Sequence, residues 1–233
     1  MDRICASDIE SAYGRKRVLR QVTVTASAGQ CVGIVGANGC GKSTLLGILA
    51  GMRRPSGGTV FFDGMPARGK LGAAMFRHYT GYVPQEGNLI PELSVMDNLC
   101  LWHMDKEKLL WELEQGFLHM LGLKEMCPVK VKKLSGGMKK RVSIGCAMAG
   151  NPPILLLDEP SAALDLPGRT EVKKYLEAYK SAGGTILLAT HEESELDICE
   201  KVYALSGGIS REIDRKLRGE ALVSELEKGR NGV

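Results

Sequence analysis

Residues 36–43 are the first group whose types and spacing predict chemistry. They read Gly-Ala-Asn-Gly-Cys-Gly-Lys-Ser and follow an apolar run at 31–35 that is typical of a buried strand. Glycines let the backbone curl so that successive N–H groups point at phosphate oxygens. Lys42 adds a full charge for the β- and γ-phosphates, and the Ser43 hydroxyl is placed to bind Mg²⁺. This phosphate loop predicts a nucleoside triphosphate site formed by Asn38, Gly39, Cys40, Gly41, Lys42, Ser43 and Thr44.

Two adjacent carboxylates, Asp158 and Glu159, end a second apolar run at 154–157. Two acids at the end of a strand are costly unless a cation or a shared proton offsets their repulsion. We expect Asp158 to face Mg²⁺ through water. We expect Glu159 to polarise the attacking water as a general base, which contributes roughly 10²–10⁴-fold in rate. The alternative is a strand end with solvated acids, and the phosphate loop disfavours it.

A third group, residues 134–138, reads Leu-Ser-Gly-Gly-Met and precedes the basic residues Lys139, Lys140 and Arg141. A Ser-Gly-Gly sequence that opens a helix offers free backbone N–H groups and the positive end of the helix dipole. We call residues 134–138 the signature segment and interpret it as a second anion site. The alternative is a glycine-rich helix start without a ligand.

Strands and helices must position these three groups. Alternation with β-branched residues predicts antiparallel strands in about the first 30 residues. The apolar runs at 154–157 and 185–190 predict core strands, and the helical stretch 169–180 between them completes a β-α-β unit. The phosphate loop leads from a strand into a helix.

Residues 86–150 form a region where the pattern changes from strand to helix. Apolar residues recur there with the 3.6-residue period of one helix face: Leu109, Leu110, Leu113, Phe117, Leu118 and Leu121. We therefore expect a helical insertion between two parts of an α/β core, and we call residues 86–150 the helical region.

Composition limits the classes of function. The chain has 233 residues and a net charge of +4, which is too small to indicate nucleic-acid binding. Seven cysteines, without a Cys-x-x-Cys pair, argue against a disulfide framework or a zinc site and favour a reducing cytoplasm. No apolar run of about 20 residues is present. If the protein works at a membrane, we expect another chain to supply the membrane part.

The order of these groups, a phosphate loop, then the signature segment, then Asp-Glu on a strand, strongly resembles the ATP-binding cassette (ABC) family. The resemblance covers residues 3–210. It implies an α/β fold with a P-loop NTPase core, a mainly parallel sheet, an N-terminal antiparallel β-subdomain and an inserted α-helical subdomain. Residues 1–233 would then form a single domain, with the core and β-subdomain at 1–85 and 151–233 and the helical subdomain at 86–150.

In that family the signature segment binds the γ-phosphate of an ATP held by the other monomer. Carried over to this sequence, Ser135, Gly136 and Gly137 would contact that ATP. Met138 departs from the family, where glutamine is usual. Because methionine cannot hydrogen-bond as glutamine does, the resemblance implies weaker contacts across the dimer, without loss of activity.

Four smaller matches support the family. Gln85 resembles the glutamine that senses Mg²⁺ and the lytic water, and His191 resembles the switch histidine that contacts the γ-phosphate. Residues 161–165, which end at Asp165, resemble the D-loop that crosses the dimer interface. Tyr13 lies where the family stacks an aromatic ring on adenine. The implied catalytic residues are Glu159, His191 and Gln85, and the implied Mg²⁺ ligands are Ser43, Gln85 and Asp158. Each of the four also has a structural alternative, such as a polar loop residue at position 85.

The resemblance implies an ATP-hydrolysing subunit of a membrane transporter, located in the cytoplasm at the inner face of the membrane. Its partners would be a second ATPase subunit, identical or different, and separate transmembrane permease subunits. Residues 93–99 resemble a segment of exporter-type cassettes, with Asp97 in place of glutamate, which favours export.

Three other functions remain open. A soluble cassette ATPase that docks on a cytosolic assembly complex would share every motif. A phosphoryl-transfer kinase would not need the signature segment or the Asp-Glu pair. A DNA-handling cassette protein would normally carry a long coiled-coil insertion, and no nucleic-acid partner is expected.

Overall fold

The structure is a computed structural model that describes residues 2–86, 88–162 and 164–228. The strands within these ranges are β1 (Asp2–Tyr13), β2 (Lys16–Ser27), β3 (Cys31–Val35), β4 (Gly57–Phe62), β5 (Met65–Pro66), β6 (Thr80–Val83), β7 (Ile154–Asp158), β8 (Thr185–Thr190), β9 (Lys201–Ser206) and β10 (Ile209–Ile213). The α-helices are α1 (Lys42–Leu49), α2 (Gly69–Tyr79), α3 (Val95–Cys100), α4 (Lys106–Glu114), α5 (Phe117–Met120), α6 (Gly136–Ala147), α7 (Leu166–Ser181) and α8 (Gly219–Lys228). Short 3₁₀ helices cover Val131–Lys133 and Glu193–Ile198.

The strands join in the order β5-β4-β1-β2-β10-β9-β3-β8-β7-β6. β1 pairs antiparallel with both β2 and β4, as the alternation near the N-terminus predicts. β9, β3, β8, β7 and β6 are parallel neighbours, and their carboxyl ends therefore meet at one edge. The expected α/β core with a mainly parallel sheet and an antiparallel β-subdomain is confirmed.

The central strands separate two apolar clusters because successive side chains of a strand point to opposite faces. On β3, Cys31 and Val35 belong to one cluster, while Val32 and Ile34 belong to the other. The first cluster also contains the apolar faces of α6 and α7. The second contains α1 and the inner faces of β1 and β2. Because strands covered on both faces are buried throughout, β3 and β7 have no exposed position.

The helical region departs in one detail from the expected single helix face. Leu109, Leu113, Leu118 and Leu121 are buried, as predicted, but Leu110 is 46% exposed. The helix breaks after α4, where the carboxylate of Glu112 accepts a hydrogen bond of 2.8 Å from the backbone N–H of Phe117. The predicted face is therefore split between two helices, and within α4 it is narrower than expected, since Leu109 and Leu113 are buried and Leu110 is not.

Residues after 200 form two strands that the mixed charge of this part of the sequence did not predict. β9 is buried beside β3, and β10 returns antiparallel along it through the turn at 207–208. The apolar residues Val202, Tyr203, Ala204 and Leu205 were the available sequence signal. Within the described part of the chain, every helix is too short or too polar to cross a bilayer.

Candidate functional site

The phosphate loop follows the carboxyl end of β3 and leads into α1. Gly39 and Gly41 have φ angles of +76° and +113°, which side chains rarely adopt, so glycine is needed at both positions. A Cβ atom on Gly36 would collide with the backbone carbonyl oxygen of Leu205. Lys42 is buried, and its Nζ donates a hydrogen bond of 2.8 Å to the carbonyl oxygen of Gly36. The loop is therefore a tight backbone curl around a lysine ammonium.

An open cavity of about 350 Å³ lies beside this loop. The described residues that line it are Tyr13, Val18, Asn38, Gly39, Gly41, Lys42, Ser43, Thr44, Gln85 and Glu159. The cavity therefore joins residues from five separate segments of the chain. Its place at the carboxyl end of a parallel strand and the N-terminus of a helix suits a phosphate group.

Cys40 is not among the residues that line this cavity. It is partly buried against the apolar cluster that contains α1, and its Sγ lies near Gly36. The backbone N–H of Cys40 donates to the carbonyl oxygen of Ala37 at 3.1 Å. Cys40 therefore contributes to the packing of the phosphate loop, whereas Asn38 and Thr44 line the cavity.

Asp158 has the environment of a cation ligand. It is 3% exposed, and its Oδ1 has no hydrogen-bond partner among the described residues. Burial raises the pKa of Asp158, while a hydrogen bond with Ser43 and the charge of Lys42 lower it. A buried carboxylate oxygen without a partner, next to a hydroxyl group, matches the hard oxygen ligands that Mg²⁺ prefers. Ser43 and Asp158 would therefore hold Mg²⁺, which would neutralise phosphate charge.

Glu159 lies at the centre of the three residues expected to be catalytic. Gln85 donates from Nε2 to Oε2 of Glu159 at 3.1 Å, and Nδ1 of His191 lies 3.3 Å from Oε1. Glu159 has a φ of +48°, and its backbone N–H donates to the carbonyl oxygen of Ala189 at 2.8 Å. This left-handed conformation is unfavourable for a residue with a side chain. It holds a carboxylate at the cavity wall, where it can polarise a water molecule.

The signature segment and Asp165 lie outside the set of residues that line the cavity. Ser135 is exposed and caps α6, and its Oγ accepts from the backbone N–H of Met138 at 3.3 Å. A Cβ atom on Gly137 would lie 3.8 Å from the Cα atom of Gly168, in the first turn of α7. The two sites predicted from the sequence therefore do not combine within one chain.

Asp165 caps α7, where its Oδ1 accepts from the backbone N–H of Gly168 at 3.0 Å. Ser161, at the start of the segment that resembles a D-loop, is buried, and the cap of the following helix lies at Asp165 instead. Ala163, in the middle of the segment that resembles a D-loop, lies outside the described residues.

Lys140 is a site residue that sequence reasoning missed. It is 8% exposed, and its Nζ donates to the carbonyl oxygens of Pro84 at 3.4 Å and Gln85 at 3.3 Å. Burial lowers the pKa of Lys140, and the carboxylates of Asp158 and Glu195 oppose that effect. The sequence shows three consecutive basic residues at 139–141, and only the fold reveals that the middle one points inward.

A curled phosphate loop, a buried aspartate beside its serine and a glutamate at the cavity wall define a P-loop nucleoside triphosphatase. The comparison with protein families is more specific. Residues 19–162 match the family model described as ABC transporter, and this match covers more than half of the chain. The chain therefore belongs to the ABC transporter family and is an ATP-binding cassette ATPase.

Individual relatives agree with this family. The chain is 34% identical to Nod factor export ATP-binding protein I from Rhizobium etli, over 90% of this chain and 67% of that protein. It is 36% identical to the aliphatic sulfonates import ATP-binding protein SsuB from Zymomonas mobilis, over 89% of this chain and 85% of that protein. The chain spans 57–67% of the length of the Nod factor relatives that it matches.

The fold is also similar to solved cassettes. The dimeric structure of MJ0796, a bacterial ABC transporter cassette, superposes with a TM-score of 0.80 at 30% identity. The similarity covers 93% of this chain and 99% of that chain.

Proposed function

We propose that this chain is the ATP-hydrolysing subunit of a membrane transporter and that it works as a dimer with two ATP molecules at the interface. One observation carries the proposal. The cavity is lined by the phosphate loop and by Glu159, the proposed general base, while Ser135 and Gly136 of the signature segment are exposed elsewhere on the same chain. A second subunit would bring its signature segment to the triphosphate.

Hydrolysis follows from the residues around Glu159. Its carboxylate takes a proton from the water whose oxygen bonds to the γ-phosphorus, while the bond from that phosphorus to the β-phosphate oxygen breaks and ADP leaves. Gln85 and His191 hold the two oxygens of Glu159 in position. Lys42 and the loop N–H groups stabilise the charge that spreads over the phosphate oxygens. Phosphate loss then removes the contact that joins the two subunits.

Closure of the dimer on ATP binding requires that ATP bind the closed state more tightly than the open state. Moving an open–closed equilibrium from 1:99 to 99:1 requires about 5.5 kcal/mol of differential affinity. Contacts from Ser135 and the free N–H groups of Gly136 and Gly137 to a triphosphate are charge-assisted hydrogen bonds, which are the stronger kind. Closure and opening of the dimer would drive the transporter.

A set of exposed apolar residues on the helical region supports a membrane-protein partner. Its members are Leu101, Trp102, Met104, Leu110, Trp111 and Met120, and each is at least 46% exposed. Large exposed apolar side chains are common at interaction sites, where aromatic residues and methionine are enriched. We assign this set to contact with a permease subunit, which would hold the ATPase at the inner surface of the membrane.

Export is the direction that we propose, on the basis of residues 93–99 and the Nod factor relatives. Ser94 and Asp97 in this segment form a capping box at the start of α3. Relatives named for import match equally well, so transport of a substrate in both orientations of reconstituted vesicles tests the direction.

The alternative function is a soluble ATPase on a cytosolic assembly complex. Affinity purification of the tagged chain from detergent-solubilised membranes separates the two. Recovery of a multispanning permease supports the transporter, and recovery of cytosolic proteins alone contradicts it. A Trp102→Ala/Trp111→Ala variant should lose the permease and keep ATP binding.

The Glu159→Gln variant tests the catalytic dimer. It should bind ATP, lose roughly 10²–10⁴-fold in turnover and elute as a dimer in gel filtration with MgATP. The same variant with MgADP, which lacks the γ-phosphate, should elute as a monomer. If the variant remains monomeric at saturating MgATP, the composite site or the assignment of the base is wrong.

A further inference from the structure

Arg53 follows α1 and reaches across to the end of β1. Its guanidinium carbon lies 3.7 Å from the centroid of the Tyr13 ring. Its Nε donates to Oγ of Ser11 at 3.2 Å, and its Nη2 donates to the carbonyl oxygen of Ala12 at 2.8 Å. Two hydrogen bonds to the residues just before Tyr13 thus fix the cation against one face of the ring.

The same arginine is tied to the phosphate-loop helix. Its backbone N–H donates to the carbonyl oxygen of Gly47 in α1 at 3.1 Å. The Tyr13 hydroxyl lies 3.4 Å from Oγ1 of Thr44, in the first turn of α1. Contacts at a ring face and at the hydroxyl therefore set the position of Tyr13 relative to the helix that begins at Lys42.

The Tyr13 side chain is accessible from the cavity. Tyr13 is 52% exposed and lines the cavity together with the phosphate loop. An exposed aromatic side chain would normally sample several rotamers, and it would lose that freedom on binding a ligand. A ring that is already held on one side binds a second flat group at a smaller entropic cost.

We propose that Arg53 is a positioning residue that makes Tyr13 a preorganised stacking platform for the nucleobase. This inference rests on the proposed function, because it takes the cavity as the ATP site. Arg53 acts through Tyr13 and does not touch the phosphates. The platform recognises a flat aromatic group by stacking, so it favours the larger purine ring over a pyrimidine.

The platform is tested by measuring the binding of three probes in EDTA, which removes Mg²⁺ and so prevents hydrolysis. The probes are ATP, CTP and inorganic tripolyphosphate, which has the phosphates but no base. Arg53→Ala should weaken ATP binding about two- to fivefold, the usual range for an exposed cation–π contact. It should weaken CTP binding less and leave tripolyphosphate binding unchanged. The ATP affinity of Arg53→Lys, which keeps the charge but not the planar guanidinium group, should lie between those of the unaltered chain and Arg53→Ala.

Two further variants isolate the role of Tyr13. Arg54, the exposed neighbour, provides the matched control, and Arg54→Ala should bind all three probes like the unaltered chain. In a Tyr13→Ala background, Arg53→Ala should have no further effect on ATP, because the residue through which it acts is gone. The thermal midpoint of each variant verifies that the chain is folded.

The outcomes separate this inference from the proposed function. Equal weakening of ATP and tripolyphosphate by Arg53→Ala would mean that Arg53 supports the phosphate loop, and it would overturn the platform alone. An undiminished effect in the Tyr13→Ala background would do the same. Failure of the unaltered chain to bind either ATP or tripolyphosphate would overturn the platform and the proposed function together.

Discussion

The phosphate-loop cavity and the signature segment both present backbone N–H groups at a helix N-terminus, but they differ in burial and in the number of chain segments that form them. The cavity is lined by residues from five segments, and its lysine, Lys42, is buried. In the signature segment Ser135 and Gly136 are exposed, and the Ser135 side chain caps only its own helix. Many contacts gathered from one chain suit tight binding of the nucleotide. An unfinished set suits a contact that forms and breaks during a cycle.

Two variants that are each defective in one of the two regions have the largest predicted effect. Lys42→Ala removes the buried charge of the cavity, and Ser135→Glu places a negative charge on the signature segment. Each alone should lower ATPase turnover at least about 100-fold, because each removes stabilisation of phosphate charge. Ser135→Glu should still bind ATP as a monomer, whereas Lys42→Ala should not.

Mixing these two variants should restore activity, since a mixed dimer has one site with Lys42 from one chain and Ser135 from the other. The measurement is phosphate release by each variant alone and by the mixture at the same total concentration. If the mixture releases no more phosphate than the separate variants, the signature segment does not act on the partner's ATP.

Lys140 connects the two regions, and its removal should have an intermediate effect. It lies on α6, which the signature segment opens, and it holds the backbone of Gln85 beside the cavity. Lys140→Ala should lower kcat about tenfold with little change in KM for ATP, because Gln85 loses its fixed position beside Glu159. Lys140→Arg should recover part of the rate.

Lys139→Ala is the matched control, since Lys139 is exposed on the same helix turn. A steady-state comparison of the variants measures the split between kcat and KM. A drop in kcat of the same size for Lys139→Ala would indicate a general effect of helix charge and contradict the positioning role.

The smallest predicted effect concerns Met138, whose side chain packs against the apolar cluster under α6. Met138→Gln should tighten ATP-dependent dimerisation about two- to threefold in the Glu159→Gln background, because an amide can donate a hydrogen bond across the interface. Met138→Leu should leave it unchanged. Sedimentation with MgATP measures the difference, and weaker dimerisation of Met138→Gln would show that apolar packing matters more than the added donor.

Much of the fold and of the site followed from the sequence because it depends on short-range rules. Glycine at positions 39 and 41 is required by positive φ angles within the loop itself. Apolar runs such as β3 and β7 are buried because both of their faces are covered. These properties need only a few neighbouring residues, so the phosphate loop, the Asp-Glu pair and the parallel core could be recognised directly.

The tertiary structure alone decided which distant residues meet. Lys139 and Lys140 are identical in type and adjacent, but only Lys140 reaches the backbone of Gln85. Arg53 contacts Tyr13, 40 positions earlier, because β1 and the end of α1 lie side by side. Such contacts depend on which strands are neighbours in the sheet and on which face of a helix a residue occupies. Neither is encoded in the spacing of residues along the chain.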